Sequence, residues 1–462
     1  MKQSRRDVML AAGAVAASCG FPATAVAKAE TGELADLIAR RIRDQKRGTG
    51  AAAGFVHDGR LSVTSYGAAG LRRRTRPDGH SVFQIASLTK IFTALLLADA
   101  VQRGEVALDD PLARHFAVAP PAFEGRAITL RDLATHTSGL PLRPASRADR
   151  DQNDPYAGYA DADLHNDVLA IRLERAPGAA FAYSNFDYGL LGDALCHRLG
   201  RSYGELLASR ILGPLGMTDT RLKPPAPDAR RRVDGYDPAF QPMRPWDFGA
   251  LAPAGGLFST IDDLAKFVAL WIGDGRGALA VAAKTMLAVD RPGDDADTRM
   301  ALGWRVTTHD GVRVVWSNGS GGGVRSFMGF NPASATGVIA FANMASARGV
   351  DDIGMHVLDP ALPVDVSVTP ARVAVTVPGA VLDRYVGTYT YAPDDSITIV
   401  RAGAGIAFVQ GPNRAPLLAA APALFFFPDD NVTIAFETLA GGPSPALVLT
   451  QGGQAYRYPR TP

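Results

Sequence analysis

Cysteine is nearly absent from this sequence, with only Cys19 and Cys196 among 462 residues. Cys19 lies in a segment that we expect to be removed, which leaves one cysteine and excludes an internal disulfide. A single thiol also excludes a cysteine cluster for zinc. No His-Glu-x-x-His motif is present to offer another metal site. The sequence therefore predicts neither a metal nor any other cofactor.

The sequence also lacks a net charge of either sign, because its formal charge is +2 at pH 7. A balance this near zero, without a long basic run, gives no indication of a nucleic-acid partner. No apolar run is long enough for a stable membrane span. What is present is a large apolar fraction, 47% of the residues, in a chain long enough for two or three domains.

The first 27 residues have the pattern of an export signal. In SRRDVML, residues 4–10, two adjacent arginines precede an apolar stretch that runs to residue 17. Ala-Val-Ala at 25–27 then supplies the small residues of a cleavage site. The arginine pair resembles the twin-arginine signal for export of folded proteins. We predict a signal peptide over 1–27 and an exported, periplasmic protein.

Hydrophobic periodicity predicts one sheet interrupted by helices. Residues 33–45 have helical spacing, and 51–70 have the pattern of two strands around a His-Asp-Gly turn. From about 84 to 272 the pattern is mostly helical, and strand signals return from 301 to 345. We therefore predict an α/β fold, an antiparallel sheet flanked by helices with a large all-helical insertion.

The composition changes after residue 358. Residues 359–380 are rich in proline and valine, which is typical of an extended linker. Residues 381–462 contain short strand-like runs, such as YVGTYTY and NVTIAFET, separated by glycine, proline, aspartate or asparagine. We predict a first domain over 28–358 and a small antiparallel β-barrel over 381–462.

A serine and a lysine lie three residues apart in FQIASLTKIFTAL, residues 83–95. A serine hydroxyl is a poor nucleophile at neutral pH and needs a base within hydrogen-bond reach. Residues three apart share a helix face, so Ser87 and Lys90 lie close together if a helix begins near Ser87. Because such a pair arises easily by chance, its surroundings decide the interpretation.

Further segments follow in a specific order and spacing: LLADAVQRGEVALDDPL at 96–112, ITLRDLATHTSGLP at 128–141, YSN at 183–185 and PAGGLFSTIDDLAKF at 253–267. With FQIASLTK they resemble the serine β-lactamase and penicillin-binding protein superfamily. Within that superfamily, these segments most resemble the branch of class C β-lactamases, D-Ala-D-Ala carboxypeptidases and esterases. The resemblance covers about residues 34–357 and implies a β-lactamase/transpeptidase-like fold. LDRYVGTYTY similarly resembles the start of barrel domains appended to D-aminopeptidase relatives.

The resemblance implies a role for each matching residue. Ser87 matches the acylated nucleophile, Lys90 its partner on the next turn, and Tyr183 the tyrosine that helps to move the proton. Asn185 matches an asparagine that contacts Lys90 and substrate, and His136 lies where the family has a structural turn. Either Lys90 is neutral and acts as the base, or it stays charged and lowers the pKa of Tyr183, which then acts as base.

The third family motif is a strand with lysine or histidine, a small residue and glycine. Here VVWSNGSGGGVRSFMGF, 314–330, aligns Ser317-Asn318-Gly319 with it. By resemblance these residues bind substrate, and the backbone N–H groups of Ser87 and Ser320 form the oxyanion hole. Serine replaces the expected cation at 317, a departure that argues against β-lactamase or carboxypeptidase activity. Arg325 or Arg305 is a candidate to replace the missing charge, and we place Arg325 in the predicted binding site.

The sequence thus predicts an exported serine hydrolase that forms an acyl-enzyme with a small-molecule or peptide substrate. The substrate would be an ester or an amide, such as a small or D-residue peptide. A β-lactamase or D-Ala-D-Ala carboxypeptidase is the alternative. A second alternative is a non-catalytic member of the fold that binds cell wall, which the altered strand motif favours and the intact serine, lysine, tyrosine and asparagine set opposes.

Overall fold

The computed structural model describes residues 23–116, 120–147, 153–223, 230–273, 275–346, 349–366, 374–392, 395–410, 413–427, 432–439, 441–451 and 454–461. Residues 1–22, with most of the predicted signal peptide, lie outside the described residues. The first helix, Ala23–Arg43, runs through the predicted cleavage site at 25–27.

The helices are α1 (Ala23–Arg43), α2 (Thr89–Gln102), α3 (Leu130–Ala134), α4 (Asp161–Ala170), α5 (Asn185–Leu199), α6 (Tyr203–Leu207), α7 (Ala252–Gly255), α8 (Ile261–Ile272), α9 (Ala278–Leu287), α10 (Asp351–Leu358) and α11 (Gly379–Leu382). The strands are β1 (Gly50–His57), β2 (Arg60–Gly67), β3 (Phe83–Gln84), β4 (Ala122–Phe123), β5 (Arg126–Ala127), β6 (Gly235–Tyr236), β7 (Pro242–Met243), β8 (Phe258–Ser259), β9 (Arg291–Pro292), β10 (Thr298–Met300), β11 (Arg305–His309), β12 (Val312–Gly321), β13 (Val324–Asn331), β14 (Thr336–Ala342), β15 (Gly387–Ala392), β16 (Asp395–Ala402), β17 (Gly405–Gln410), β18 (Asn413–Ala421), β19 (Leu424–Phe426), β20 (Thr433–Phe436), β21 (Ala446–Gln451) and β22 (Gln454–Pro459).

The large sheet is antiparallel throughout, in the order β2-β1-β14-β13-β12-β11-β10-β9. Both faces of its central strands are buried because helices cover them. One face packs with α1 and α10 around Phe327, and the other packs with α2 and α8 around Met328. Adjacent residues of one strand serve different cores, since side chains alternate between the faces of a sheet.

The chain between β2 and β9 forms the predicted insertion, in which helices predominate over two-stranded pieces. Helix α2 lies at its centre and is buried from Thr89 to Ala100. Its sequence is apolar on all sides, which is typical of a helix enclosed by protein. The N-terminus of α5 is fixed by Ser184, whose hydroxyl accepts a hydrogen bond from the backbone of Asp187. These two helix N-termini carry the residues described below.

The C-terminal part is a second antiparallel sheet in sequential order, β15 to β22. An antiparallel bridge between Tyr389 and Arg460 brings the last strand back to the first, so the sheet is a nearly closed barrel. Its core is separate and includes Tyr385, Phe425 and Phe436. Both parts of the predicted fold class are confirmed. The domain limits proposed from sequence stay predictions.

Within the described part of the chain, no helix has the length and apolar character needed to cross a membrane.

Candidate active site

Ser87 lies in a single 3₁₀ turn, Ala86–Leu88, that leads directly into α2. The preceding residue, Ala86, has φ +46°, in the left-handed region that costs a residue with a β-carbon about 1 kcal/mol. Ala86 is buried, so its surroundings hold it in this strained conformation. Ser87 itself is half-buried. A strained backbone thus presents the hydroxyl of Ser87 at the start of α2.

Lys90 lies one turn further along and is buried. Its Nζ is 3.1 Å from Ser87 Oγ, 2.7 Å from Asn185 Oδ1 and 2.8 Å from the carbonyl oxygen of Ala254. Three polar partners match the three positions that an amine nitrogen offers beyond its own carbon. Lys90 Nζ therefore makes all of its possible hydrogen bonds to groups of the protein.

The pKa of Lys90 lies well below its ordinary value. Burial is the main cause, and the guanidinium of Arg305 lowers the pKa further, while Asp187 opposes both effects. Burial also raises the pKa of Asp187 itself well above its ordinary value. Lys90 is thereby shifted toward the neutral amine, the form that can accept a proton.

Tyr183 contacts Ser87 from the other side of the hydroxyl. The Tyr183 hydroxyl donates a hydrogen bond to Ser87 Oγ over 2.7 Å, and its ring centroid lies 4.8 Å from Lys90 Nζ. Burial raises the pKa of Tyr183, while the hydrogen bond to Ser87 and the charge of Arg305 lower it to a smaller extent. Tyr183 is therefore a protonated phenol in the resting site.

Asn185 joins the site to a residue that our sequence reasoning missed. Its Oδ1 accepts from Lys90, and its Nδ2 donates to the hydroxyl of Tyr156 over 2.8 Å. Tyr156 is fully buried, and its ring packs near those of Phe248 and Trp246. It comes from a loop far from the motifs, so no spacing in the sequence marked it.

His136 supports the segment that carries Tyr183. Its Nδ1 accepts a hydrogen bond from the backbone N–H of Ser184 over 3.1 Å, and its ring lies 4.5 Å from that of Tyr183 between centroids. Burial, with the charges of Lys90 and Arg305, holds the pKa of His136 well below its ordinary value. His136 is thus a neutral, buried ring behind Tyr183, and its hydrogen bond goes to the Ser184 backbone.

Strand β12 passes directly in front of Ser87. A β-carbon added to Gly319 would lie 2.8 Å from the backbone nitrogen of Ser87 and 2.7 Å from the carbonyl oxygen of Ile85. Only glycine allows this approach. Ser317 shares this face by alternation and is 5% exposed, whereas the side chain of Ser320 is on the other face and exposed.

Asn318 and Arg325 are held on the opposite face of the sheet, away from Ser87. Asn318 Nδ2 donates to Asp351 Oδ2 over 2.5 Å, and Arg325 Nη2 binds the same oxygen over 2.9 Å. Asp351 begins α10, and the arrangement ties that helix to the β12–β13 hairpin. These two residues, predicted from sequence as substrate ligands, are therefore engaged with protein, and we leave them out of the proposed site.

A cavity of about 520 Å³ lies beside the site without including it. Its walls include Gln84, Tyr236 and Gly322 but none of Ser87, Lys90 and Tyr183. Gln84, in the wall of this cavity, binds both backbone groups of Trp246, over 2.8 and 2.9 Å.

No group of three or more histidine, cysteine or acidic side chains among the described residues is arranged to hold a metal ion.

A serine beside a buried lysine one turn away, a phenol on its other side and a glycine strand in front form an arrangement that suits serine acyl transfer, on an α/β scaffold. The family model described as Beta-lactamase matches residues 34–358 of this chain. The chain belongs to this family, which confirms the resemblance seen in the sequence.

Two curated relatives from Escherichia coli illustrate the similarity. The D-alanyl-D-alanine-carboxypeptidase/endopeptidase AmpH is 30% identical over 352 residues, covering 70% of this chain and 88% of AmpH. A protein named beta-lactamase is 26% identical over 353 residues, covering 67% of this chain and 89% of its own length. These similarities support a serine hydrolase.

Solved structures agree on the fold. A β-lactamase/D-alanine carboxypeptidase from Yersinia pestis, complexed with citrate, superposes with a TM-score of 0.60 at 25% identity, covering 69% of this chain and 93% of its own. A class C β-lactamase from Rhodobacter sphaeroides gives a TM-score of 0.59 at 23% identity, covering 68% and 94%.

Proposed function

We propose that this protein is a serine hydrolase that forms an acyl-enzyme at Ser87. The observation that carries the proposal is the pair of contacts on one hydroxyl, with Lys90 Nζ at 3.1 Å and Tyr183 Oη at 2.7 Å. A lysine within reach of a serine supplies the base that the hydroxyl needs, and the lowered pKa of Lys90 makes that base available.

The contacts favour Lys90 over Tyr183 as the base of the acylation step. A neutral amine donates two hydrogen bonds and accepts one, so donation to Asn185 and Ala254 would leave its lone pair for the proton of the Ser87 hydroxyl, whose oxygen is 3.1 Å away. Tyr183 has a raised pKa and already donates to Ser87 Oγ, so it is poorly placed to remove the same proton. The proton of Ser87 then passes to Lys90 as Oγ attacks the carbonyl carbon.

The leaving group departs with the same proton, relayed from Lys90 through the hydroxyl of Tyr183. The backbone N–H groups of Ser87 and Ser320 stabilise the oxyanion, a role consistent with the close approach of β12 at Gly319. A water molecule then attacks the acyl-enzyme, with Lys90 again as base, and releases the acid and free Ser87.

The substrate we propose is an ester or an amide, including small or D-residue peptides. Similarity to AmpH and to the Yersinia protein favours a second candidate, D-Ala-D-Ala carboxypeptidase or β-lactamase activity. Ser317 argues against the second candidate, because no cation extends from β12 where the family places one. A non-catalytic binding protein is the least supported, since it has no need of the depressed lysine pKa.

Two covalent probes test the proposal. The protein without residues 1–27 is treated with a fluorophosphonate and, separately, with a fluorescent penicillin, and its intact mass is measured. We expect fluorophosphonate labelling that Ser87→Ala abolishes. Labelling by penicillin at Ser87 would favour the second candidate. Folded protein that neither probe labels would refute the catalytic function.

We further propose export through the pattern in residues 1–27. The support is the arginine pair before an apolar stretch and small residues at 25–27. Replacing Arg5 and Arg6 by lysine should retain the protein in the cytoplasmic fraction if the twin-arginine route is used. Unchanged export with a removed signal would indicate an ordinary secretory signal instead.

A further inference from the structure

Tyr156 is a buried phenol whose hydroxyl reaches the edge of the active site. It is 1% exposed, and its ring centroid lies 5.3 Å from that of Phe248 and 6.1 Å from that of Trp246. The hydroxyl accepts a hydrogen bond from Asn185 Nδ2 over 2.8 Å. Burial raises the pKa of Tyr156, so the phenol is neutral at physiological pH. A side chain enclosed in this way meets a substrate only through a neighbour, and that neighbour is Asn185.

The amide of Asn185 is bonded at both ends. Its Oδ1 accepts from Lys90 Nζ over 2.7 Å, the shortest of the three hydrogen bonds of that amine. Its Nδ2 donates to Tyr156. The last torsion of an asparagine side chain is broad when no partner fixes it. Because the two ends of the amide have different partners, the torsion is set with Oδ1 facing Lys90.

Lys90 depends on that oxygen more when it is charged than when it is neutral. An ammonium group has three N–H donors, and its three partners here are Ser87 Oγ, Asn185 Oδ1 and the carbonyl oxygen of Ala254. A neutral amine has only two donors and needs one acceptor fewer. Displacing Oδ1 therefore destabilises the charged form of Lys90 more than the neutral form, and the pKa of Lys90 falls.

Several other titratable groups act on Lys90 through their charge or lie with a ring beside it. They are Tyr183 and Tyr188, whose ring centroids lie 4.8 and 5.6 Å from Nζ, and Asp187, Arg305 and His136. In the described part of the chain, the hydroxyl of Tyr156 has one hydrogen bond, the one from Asn185. A change that removes this hydroxyl and keeps the ring therefore reaches Lys90 through Asn185.

We propose that Tyr156 is a positioning residue of this site, which holds the amide of Asn185 so that its Oδ1 faces Lys90. The inference rests on the proposed function, because Lys90 is the base of that reaction. Tyr156 itself takes up and releases no proton. Through Asn185 it keeps the amine aligned with Ser87 Oγ and supports the charged form that Lys90 has after it accepts the proton of Ser87.

The pH dependence of fluorophosphonate labelling tests this role. Tyr156→Phe removes the phenol oxygen and keeps the ring beside Phe248. We expect the plateau rate to fall about 10- to 100-fold, because the amine is less well aligned with Ser87. The rising limb of the profile should move to lower pH, because the charged form of Lys90 has lost an acceptor. A merely structural effect would lower the rate at every pH and leave the limb in place.

Tyr159→Phe is the matched control. Tyr159 is also 1% exposed, lies three residues further along the same segment, and donates its hydroxyl to Asp167 over 2.8 Å. This variant also loses one phenol oxygen, and it should keep the plateau and the limb of the wild type. Thermal unfolding of both variants checks that they are folded. A limb that moves equally in both variants, or in neither, would overturn the proposal.

A double-mutant cycle tests whether Tyr156 acts through Asn185. In an Asn185→Ala background no amide remains to be held, so adding Tyr156→Phe should change the labelling rate less than about twofold. If the second substitution costs as much in this background as it does in the wild type, the two residues act independently. That outcome would refute the positioning role.

Nuclear magnetic resonance of the lysine side chains separates this inference from the proposed function. In protein isotope-labelled at the lysine ε-carbon, the signal of Lys90 is the one missing from Lys90→Met, and its shift with pH reports the amine directly. The signal should titrate at lower pH in Tyr156→Phe than in the wild type. If fluorophosphonate does not label the wild type, the proposed function fails, and this titration still decides the role of Tyr156. An unchanged midpoint would refute that role.

Discussion

The Nζ of Lys90 lies 3.1 Å from the Oγ of Ser87, one helical turn apart, and the two side chains differ sharply in exposure. Ser87 is open enough to meet a substrate, whereas Lys90 is buried behind it. Burial is what lowers the pKa of the amine, so the fold uses one helix to place a nucleophile in the cleft and its base in the interior.

Replacing the nucleophile should abolish turnover. We expect Ser87→Ala to lower kcat/KM for any accepted ester by at least about 10⁴-fold, because no hydroxyl remains to be acylated. The fold should persist, since the change removes one oxygen at a half-buried position. Ester hydrolysis and circular dichroism of the purified variant check both points. Retained hydrolysis would place the nucleophile elsewhere.

Removing the phenol should slow acylation without removing the base. Tyr183→Phe deletes the hydroxyl that donates to Ser87 Oγ and leaves the ring against Lys90 and His136. We expect the rate of fluorophosphonate labelling to fall by about 10²- to 10³-fold, the range for a lost proton-transfer group. A variant that labels at the wild-type rate would exclude Tyr183 from the proton path.

The pH profile should report the state of Lys90. Acylation needs the neutral amine, so its rate should rise with pH and level off above the lowered pKa of Lys90. Arg305 lowers that pKa by repelling a second positive charge, so Arg305→Met should move the rising limb to higher pH. A neutral fluorophosphonate is the probe, because it carries no charge that Arg305 could attract. A limb that stays in place would mean that the charge of Arg305 does not reach Lys90.

A methyl group at position 319 of β12 should disturb the active site by pushing the strand away from the backbone of Ile85 and Ser87. The β-carbon of Gly319→Ala would lie 2.7 Å from the carbonyl oxygen of Ile85 and 2.8 Å from the nitrogen of Ser87, so the strand must move. We expect a loss of about 1–3 kcal/mol in the free energy of unfolding and about 100-fold in acylation rate. Gly442→Ala is the control, since no atom lies within 4 Å of its added β-carbon. If both variants behave alike, the close approach of β12 is not needed.

The ion pair on the far face should affect stability and not specificity. Arg325→Met leaves Asp351 without its cation in a position where burial already raises the pKa of the carboxyl group. We expect the free energy of unfolding to fall by about 1–3 kcal/mol. The rate of fluorophosphonate labelling should stay at the wild-type value. A lowered rate in folded protein would favour the place in the binding site that the sequence predicted for Arg325.

The sequence was most informative about residues whose partners lie close to them along the chain. Ser87 and Lys90 are related by helix periodicity, and the strands from β11 to β14 follow from alternation and turns. Tyr156 could not be found in this way, because its hydroxyl reaches Asn185 only after the insertion folds. The hydrogen bond from Lys90 to the carbonyl oxygen of Ala254 could not be predicted either. Ala254 lies within the segment 253–267, but a backbone carbonyl has no signature in the sequence.

The position of Asn318 and Arg325 on the far face of the sheet has a simple geometric cause. Asn318 was predicted to bind substrate as the middle residue of the aligned strand motif, and Arg325 as a candidate to replace the missing cation. Successive residues of a strand point to opposite faces, so neighbours of Gly319 turn away from Ser87 as Gly319 approaches it. Helix α10 brings Asp351 to that far face and binds both side chains there.

The sequence by itself determined the fold class, the family and the pair of Ser87 and Lys90, because helix and strand periods and local motifs are properties of short stretches. Only the tertiary structure decided which groups surround that pair. The pKa of Lys90 depends on burial, and the place of Arg305 beside Tyr183 depends on the packing of β11 against the helical insertion. Both are set by residues far apart in the chain, and so no local pattern records them.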